Sequence, residues 1–346
     1  MLYLDNAATT KVHGEVLEEM LKYFNYYYGN SEAKYYEQSE MAKKGISNAR
    51  KNVASIVGCA EDEVIFTSGA TESNNFILKS IVNDFCEKGN HIITTSVEHP
   101  SIYETCKFLE TKGVKITYLS VDNHGLINLD ELRKSITNHT ILVSIIWVNN
   151  EIGTIQKMKE IDSICAEKGI FLHSDATQAV GKTPINLKEF EALKFLTFSS
   201  HKIFGPKGIG ALIIKKDKNG IPFRLNPLIH GGEQEFGYRA GTLSNALIVG
   251  FGKACEIAQR NFEENIGKLK DFEVQIKNKL KEKFPAMIQF NNDFDEKIPG
   301  LINVRFKGVN NQILLKKLSQ FIAASNGSAC SVTKPSRVLK EIGLDN

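Results

Sequence analysis

The stretch Phe195–Leu212, FLTFSSHKIFGPKGIGAL, decides the fold. Its opening residues, Phe195-Leu196-Thr197-Phe198, form an apolar run of buried-strand length. Ser199-Ser200-His201-Lys202 then turns polar, and Gly205-Pro206-Lys207-Gly208 is a cluster of turn formers. Such a segment sets one amine, that of Lys202, at the carboxyl edge of a sheet, where open α/β proteins take their ligands. A Lys desolvated there can lose its proton and join an aldehyde as a Schiff base. A solvated Lys in a surface loop gives the same local pattern, so Lys202 alone decides nothing.

Working outward, the flanking sequence alternates strand and helix. Val64–Thr67, His91–Thr95, Val114–Leu119, Ile141–Trp147, Ile170–His173 and Gly210–Ile214 read as strands. Glu72–Phe85, Pro100–Leu109 and Met158–Glu167 read as helices between them, and Glu15–Phe24 and Ser39–Val57 as amphipathic helices before them. This alternation with continuous apolar strands predicts a mostly parallel sheet covered on both faces. The Tyr-rich segment 25–36 reads as a loop over a cleft or interface, or as plain surface. After Ser244 the pattern changes: Ala246–Lys283 is one long helical stretch, Pro299–Phe306 a strand and Gln312–Ser319 a helix. These belong to a smaller α+β domain. The division is 13–245 for the large domain, with 1–12 and 246–346 forming the small one.

The totals narrow the function classes. The net charge of +3 is the difference of 43 basic and 40 acidic residues, which argues for neither nucleic-acid nor membrane partners. No apolar run is long enough to cross a bilayer, and MLYLDNAATT has neither the basic flank nor the apolar core of a signal peptide, so cytoplasm is the expected compartment. The six cysteines are scattered without a CxxC pair, against a zinc ribbon or disulfide scaffold; no metal site is expected.

Several polar residues fall where these strands end. Gly69-Ala70-Thr71 offers N–H groups, a hydroxyl and a helix N-terminus to a phosphate, or is an ordinary N-cap. Glu98-His99 follows one strand. Asn149-Asn150 follows another, as a reader of a carboxylate or ring oxygen or as an Asn-rich turn. Asp175, with Gln178 one turn on, can keep a pyridine nitrogen protonated, or cap a helix. With Lys202 these make the inventory of a pyridoxal phosphate site.

The chain resembles the cysteine desulfurases of the iron–sulfur-assembly type, within the fold-type-I pyridoxal phosphate enzymes. The resemblance runs nearly end to end: Tyr3–Thr10, Thr67–Asn74, Glu98-His99, Val148–Gly153, Asp175–Gln178, Ser199–Lys202, Arg239–Thr242 and Gly327–Cys330. It implies an α/β fold with a mostly parallel seven-stranded sheet flanked by helices, and a homodimer with shared active sites. It implies that Lys202 holds pyridoxal 5'-phosphate as an internal aldimine, that His99 stacks on the ring and moves protons, and that Asp175 pairs with the ring nitrogen and Gln178 with the ring hydroxyl. Ala70, Thr71, Ser199 and His201 would bind the phosphate, joined by Thr242 of the other subunit, while Asn150 contacts ring and substrate. Cys330, in the small polar run Ser325–Ser331, would be the nucleophile that takes sulfur from L-cysteine, leaves L-alanine and passes its persulfide to a scaffold or thiolation partner.

Two departures from the family pattern stand out. Gly29-Asn30 is followed by Ser31 rather than Pro, with Tyr35 or Tyr36 near the position of a family His. Relatives also continue past the cysteine loop to a carboxylate-clamping Arg. No position here matches it, so the small domain is C-terminally truncated relative to the family; Arg337 is the nearest candidate in sequence but belongs to the preceding helix. The competing readings are a selenocysteine lyase or cysteine sulfinate desulfinase, and a catalytically impaired assembly subunit.

Overall fold

The structure, a computed structural model, describes residues 1–326 and 336–344. In chain order, β1 (Leu2–Tyr3) precedes helices α1 (Gly14–Asn25) and α2 (Glu37–Val57). Strands and helices then alternate as β2 (Val64–Thr67), α3 (Ala70–Asp84), β3 (His91–Thr95), α4 (Pro100–Glu110), β4 (Lys115–Leu119), α5 (Leu129–Ser135), β5 (Thr140–Ser144), α6 (Met158–Glu167) and β6 (Phe171–Asp175). β7 (Leu193–Ser199) and β8 (Gly210–Ile214) complete this part. The remainder is α7 (Asn245–Arg260), α8 (Phe262–Lys283), β9 (Ile288–Phe290), β10 (Val304–Phe306), α9 (Asn311–Leu318), β11 (Ile322–Ala323) and α10 (Arg337–Glu341).

Seven strands form one sheet in the order β2-β8-β7-β6-β5-β3-β4. β8 runs antiparallel to both neighbours; the other pairs are parallel. Every residue of β2, β3, β5 and β8 is buried, which is why these segments show apolar runs, with a few buried polar residues at their ends, rather than alternation. One face packs on α3 and α4 through Phe76, Ile77, Ile102 and Leu109. The other packs on α1, α2, α6 and α7 through Met20, Val53, Ile161 and Phe251. Asp175 and Ser199 end parallel strands, so both sit at the sheet's carboxyl edge.

Four expectations change at element boundaries. The ladder of β5 closes at Ser144 rather than Trp147, although the Ile145 and Trp147 N–H groups still donate to His173 and Asp175 carbonyls. The stretch 246–283 is two helices, broken at Asn261, whose ψ of 13° leaves the helical run. Only Val304–Phe306 of Pro299–Phe306 is strand, paired antiparallel with β9. The seven-residue helix α5, capped by the Asn128 side chain on the Asp130 and Glu131 amides, was not foreseen. β1 pairs in parallel with β11, which ties the amino-terminal stretch to the carboxyl-terminal elements.

Candidate active site

After β7 the backbone makes a single helical turn, Ser200–Lys202. Lys202 Nζ donates to the carbonyls of Ala7 and Ala8, each at 2.6 Å. The amino-terminal run is held against this turn at further points. Thr10 donates from its amide (2.9 Å) and its hydroxyl (3.0 Å) to the His201 carbonyl, and His201 Nδ1 meets Thr9 Oγ1 at 3.1 Å. Segments nearly two hundred residues apart in sequence therefore enclose the amine, as the apolar-to-polar switch at Ser199 anticipates.

Asp175 is buried at the end of β6. Its Oδ2 accepts from Asn74 Nδ2 at 2.8 Å and its Oδ1 from the Thr177 amide at 3.0 Å. Asn74 is itself fixed, because Thr197 Oγ1 donates to its Oδ1 at 2.5 Å and its amide reaches Ser101 Oγ at 2.8 Å. Ser101 closes the chain on His99: hydroxyl and ring Nδ1 are 2.8 Å apart, and the Ser101 amide donates to Nδ1 at 3.2 Å. His99 thus caps α4 through Nδ1, which leaves Nε2 for reacting groups. Burial lowers its pKa; the Lys202 and Arg337 charges push the same way and Asp175 opposes them. The imidazole is neutral at neutral pH. Beside it lies an open hollow of about 480 Å³ lined by Thr71, Asn75, His99, Ser101 and Phe108 among others.

α3 begins where β2 ends, and its first amide, of Ala70, donates to Ser199 Oγ at 2.8 Å. Gly69, at φ 152°, makes the turn between them. The neighbouring strand comes so close that a Cβ at Gly210 would lie 2.7 Å from Gly69 Cα. Basic groups crowd this corner. Burial, followed by Lys202, Lys207, Lys182 and His99, drives the His201 pKa down to about 4. The charges acting on this imidazole are cationic, and the α3 N-terminus meets the same turn through Ser199. A phosphorylated aldehyde ring fits this donor set: an amine for the aldehyde, Ala70, Thr71, Ser199 and His201 for the phosphate, and a buried carboxylate for a ring nitrogen.

The other expected site residues are dispersed. Gln178 is buried, and its Nε2 donates to the Ala7 carbonyl at 2.8 Å, so it joins the Lys202 enclosure. Asn150 is half-buried past the end of β5, while its neighbour Asn149 is fully buried and structural: its Oδ1 accepts from the Glu151 and Ile152 amides, and its Nδ2 donates to Val97. Thr242 is exposed, on a loop anchored by Arg239 Nε on Glu72 Oε1 at 3.0 Å. Cys330 lies outside the described residues. Of the other cysteines, Cys106, Cys165 and Cys255 are buried, and burial pushes the Cys106 and Cys165 thiols up to about 12 and that of Cys255 up as well, so these are packing residues.

Arg337 is no solvent-facing clamp. Its guanidinium donates to the Ser96 carbonyl and, at 2.5 Å, to the Glu98 carbonyl, and it stacks over the Tyr103 ring at 3.8 Å. It pins the loop that carries His99. The sequence reading gave no role to Asn74, Ser101 or Thr197. The signal available was the spacing of Ala70 and Asn74, four apart on one helix face.

The aminotransferase class-V family model matches residues 2–343. The cysteine desulfurase IscS of Rickettsia typhi is 41% identical over 345 residues, covering 99% of this chain and 83% of that protein. A mitosomal cysteine desulfurase of Encephalitozoon cuniculi is 42% identical, covering 100% of this chain and 79% of its own length. Among solved structures, SspA in complex with cysteine superposes with a TM-score of 0.86 at 35% identity, over 100% of this chain and 95% of that one.

Proposed function

Because the chain belongs to the aminotransferase class-V family, and is a pyridoxal 5'-phosphate-dependent cysteine desulfurase, we propose that Lys202, His99 and Cys330 carry its chemistry on L-cysteine. In the overall step the substrate Cβ–S bond breaks and a bond forms between the Cys330 sulfur and the departing sulfur. L-alanine leaves with a proton on its former Cβ, and the enzyme keeps a persulfide at Cys330. The observation that supports this best is the Lys202 amine at the carboxyl edge of the sheet, three residues past Ser199, whose Oγ accepts from the first amide of α3.

When bound, the cofactor supplies a sink for the electron pair left at the substrate's α-carbon. The chain's residues do the rest. Lys202 Nζ, now held by the Ala7 and Ala8 carbonyls, would hold the cofactor's aldehyde end and would serve as the base for the substrate's α-proton. Asp175, oriented by Asn74, holds the proton on the ring nitrogen. His99, fixed through Nδ1 and with its pKa lowered by burial, would lie against the ring and would move a proton at Nε2. Ala70, Thr71, Ser199 and His201 hold the phosphate, Gln178 the ring oxygen, and Asn150 the ring and the substrate carboxylate. Thr242 reaches the phosphate from a second copy of the chain, in a homodimer.

The acceptor of the persulfide sulfur is an iron–sulfur scaffold or a thiolation partner, and the compartment the cytoplasm. Among the described residues no helix is long and apolar enough to cross a membrane. The two-part division at residues 12 and 245 has support in the β1–β11 pairing. Absorption spectra test the chemistry. Cys330→Ala should keep the visible band of the loaded protein and lose persulfide formation from L-cysteine; Lys202→Ala should lose the band. A Lys202→Ala protein that turned over normally would overturn the proposal.

A further inference from the structure

One polar contact beside the site has no part in the roles above. Lys182 lies four residues past Gln178, in the tight turns that follow Asp175, where the Lys182 amide donates to the Ala179 carbonyl at 2.9 Å. Its Nζ donates to Gln178 Oε1. An ammonium is a donor only, so it can meet just the oxygen end of that amide. This fixes which way the amide faces: Nε2 points toward the Ala7 carbonyl, 2.8 Å away, the same oxygen that accepts from Lys202 Nζ. Of the two Nε2 hydrogens one is used on Ala7, and the other remains for a ligand.

We infer that Lys182 is a positioning residue for the cofactor, holding Gln178 so that its N–H, and not its carbonyl, meets the ring oxygen. This rests on the placing of that ring oxygen at Gln178 proposed above. The Ala7 carbonyl restrains the Nε2 end, but without Lys182 the oxygen end loses the ammonium that holds it, and an amide that turned over would set its oxygen against an anionic one. The ionisable groups acting on Lys182 and its surroundings are Lys202 and His201. Burial, and then the Lys202 charge, bring Lys182 down to about 7, so the donor-only ammonium that orients the amide is the form below that pH, whereas the neutral amine can accept as well as donate.

The consequence is read on the cofactor itself. A donor on the ring oxygen draws off negative charge that would otherwise hold a proton on the Lys202 nitrogen. Losing that donor raises the midpoint at which the visible band titrates. In the loaded protein Lys182→Met should raise the midpoint by about one pH unit, the size of one charge-assisted hydrogen bond, and Lys182→Arg should restore most of it. Gln178→Ala should shift it comparably, and the double variant Lys182→Met/Gln178→Ala should shift it no further than Gln178→Ala alone.

The same comparison holds for the cofactor dissociation constant by dialysis, for any variant that loads too weakly to titrate. Each single change should weaken binding by about tenfold, and the pair by about the same factor. An unmoved midpoint and unchanged affinity in Lys182→Met, or shifts that add in the double variant, overturn the inference. A wild-type protein with no titrating visible band would instead sink the cofactor reading beneath it.

Discussion

Glu98 carries a carboxyl group into the dry interior beside His99. Its Oε1 accepts from Thr95 Oγ1 at 2.9 Å and from the Ile146 amide at 2.8 Å, while its buried Oε2 has no partner among the described residues. Burial pushes its pKa up to about 8, with the Asp175 charge adding to the rise and the Ile146 and Thr95 hydrogen bonds and Arg337 opposing it. The folded chain therefore keeps a proton that the unfolded chain releases near pH 4.5. Stability from this group is full below that value and drains away as pH climbs through 8. Glu98→Gln should flatten the fall in the urea midpoint of the loaded protein between pH 6 and pH 9; an unchanged slope would refute this. The sequence marks Lys202 and Asp175 because strand ends are visible as breaks in apolar runs. It does not mark the duties of Glu98, Asn74 or Lys182, which arise where elements distant in sequence meet, as in the 2.8 Å bond from Asn74 to Asp175 across 101 positions.

Among elements, β2 poses the sharpest packing problem, since it lies at the edge of the sheet with β8 as its neighbour there. Its outward groups are covered by an ion pair. Glu235 accepts from the Phe66 amide at 2.7 Å, Arg50 donates to the Val64 carbonyl, and the two side chains meet at 2.5 Å. Glu235 is fully buried and Arg50 nearly so, and the guanidinium also stacks over Phe66 at 4.7 Å. Glu235→Ala strands a buried cation and reopens the edge, so a loss of about 3–5 kcal/mol is expected by urea denaturation. One residue before Arg50, α2 and α7 touch closely: a Cβ at Gly252 would lie 2.3 Å from Ala49 Cα. Gly252→Ala should therefore cost about 1–3 kcal/mol. Helix identities were legible from apolar spacing, but the break at Asn261 was not, because the Lys- and Glu-rich pattern runs through it unbroken.

For the whole molecule, the α/β class followed from alternation, whereas the pairing of residues 2–3 with 322–323 did not, since a two-residue strand carries no periodicity. The proposal that two copies share each site has its own test. Lys202→Ala and Thr242→Ala chains, each loading cofactor poorly, should on mixing form heterodimers with one fully built site, and tight binding should return to at most half of the sites. No recovery on mixing would place Thr242 outside the partner's pocket. The strand order also has a consequence for synthesis. Among the described strands β2 pairs only with β8, which leaves the ribosome about 140 residues later, on the order of ten seconds at ordinary translation rates. Until then the strand that leads into α3 stays unpaired, and the site proposed at its end cannot be complete before about three-fifths of the polypeptide has been made.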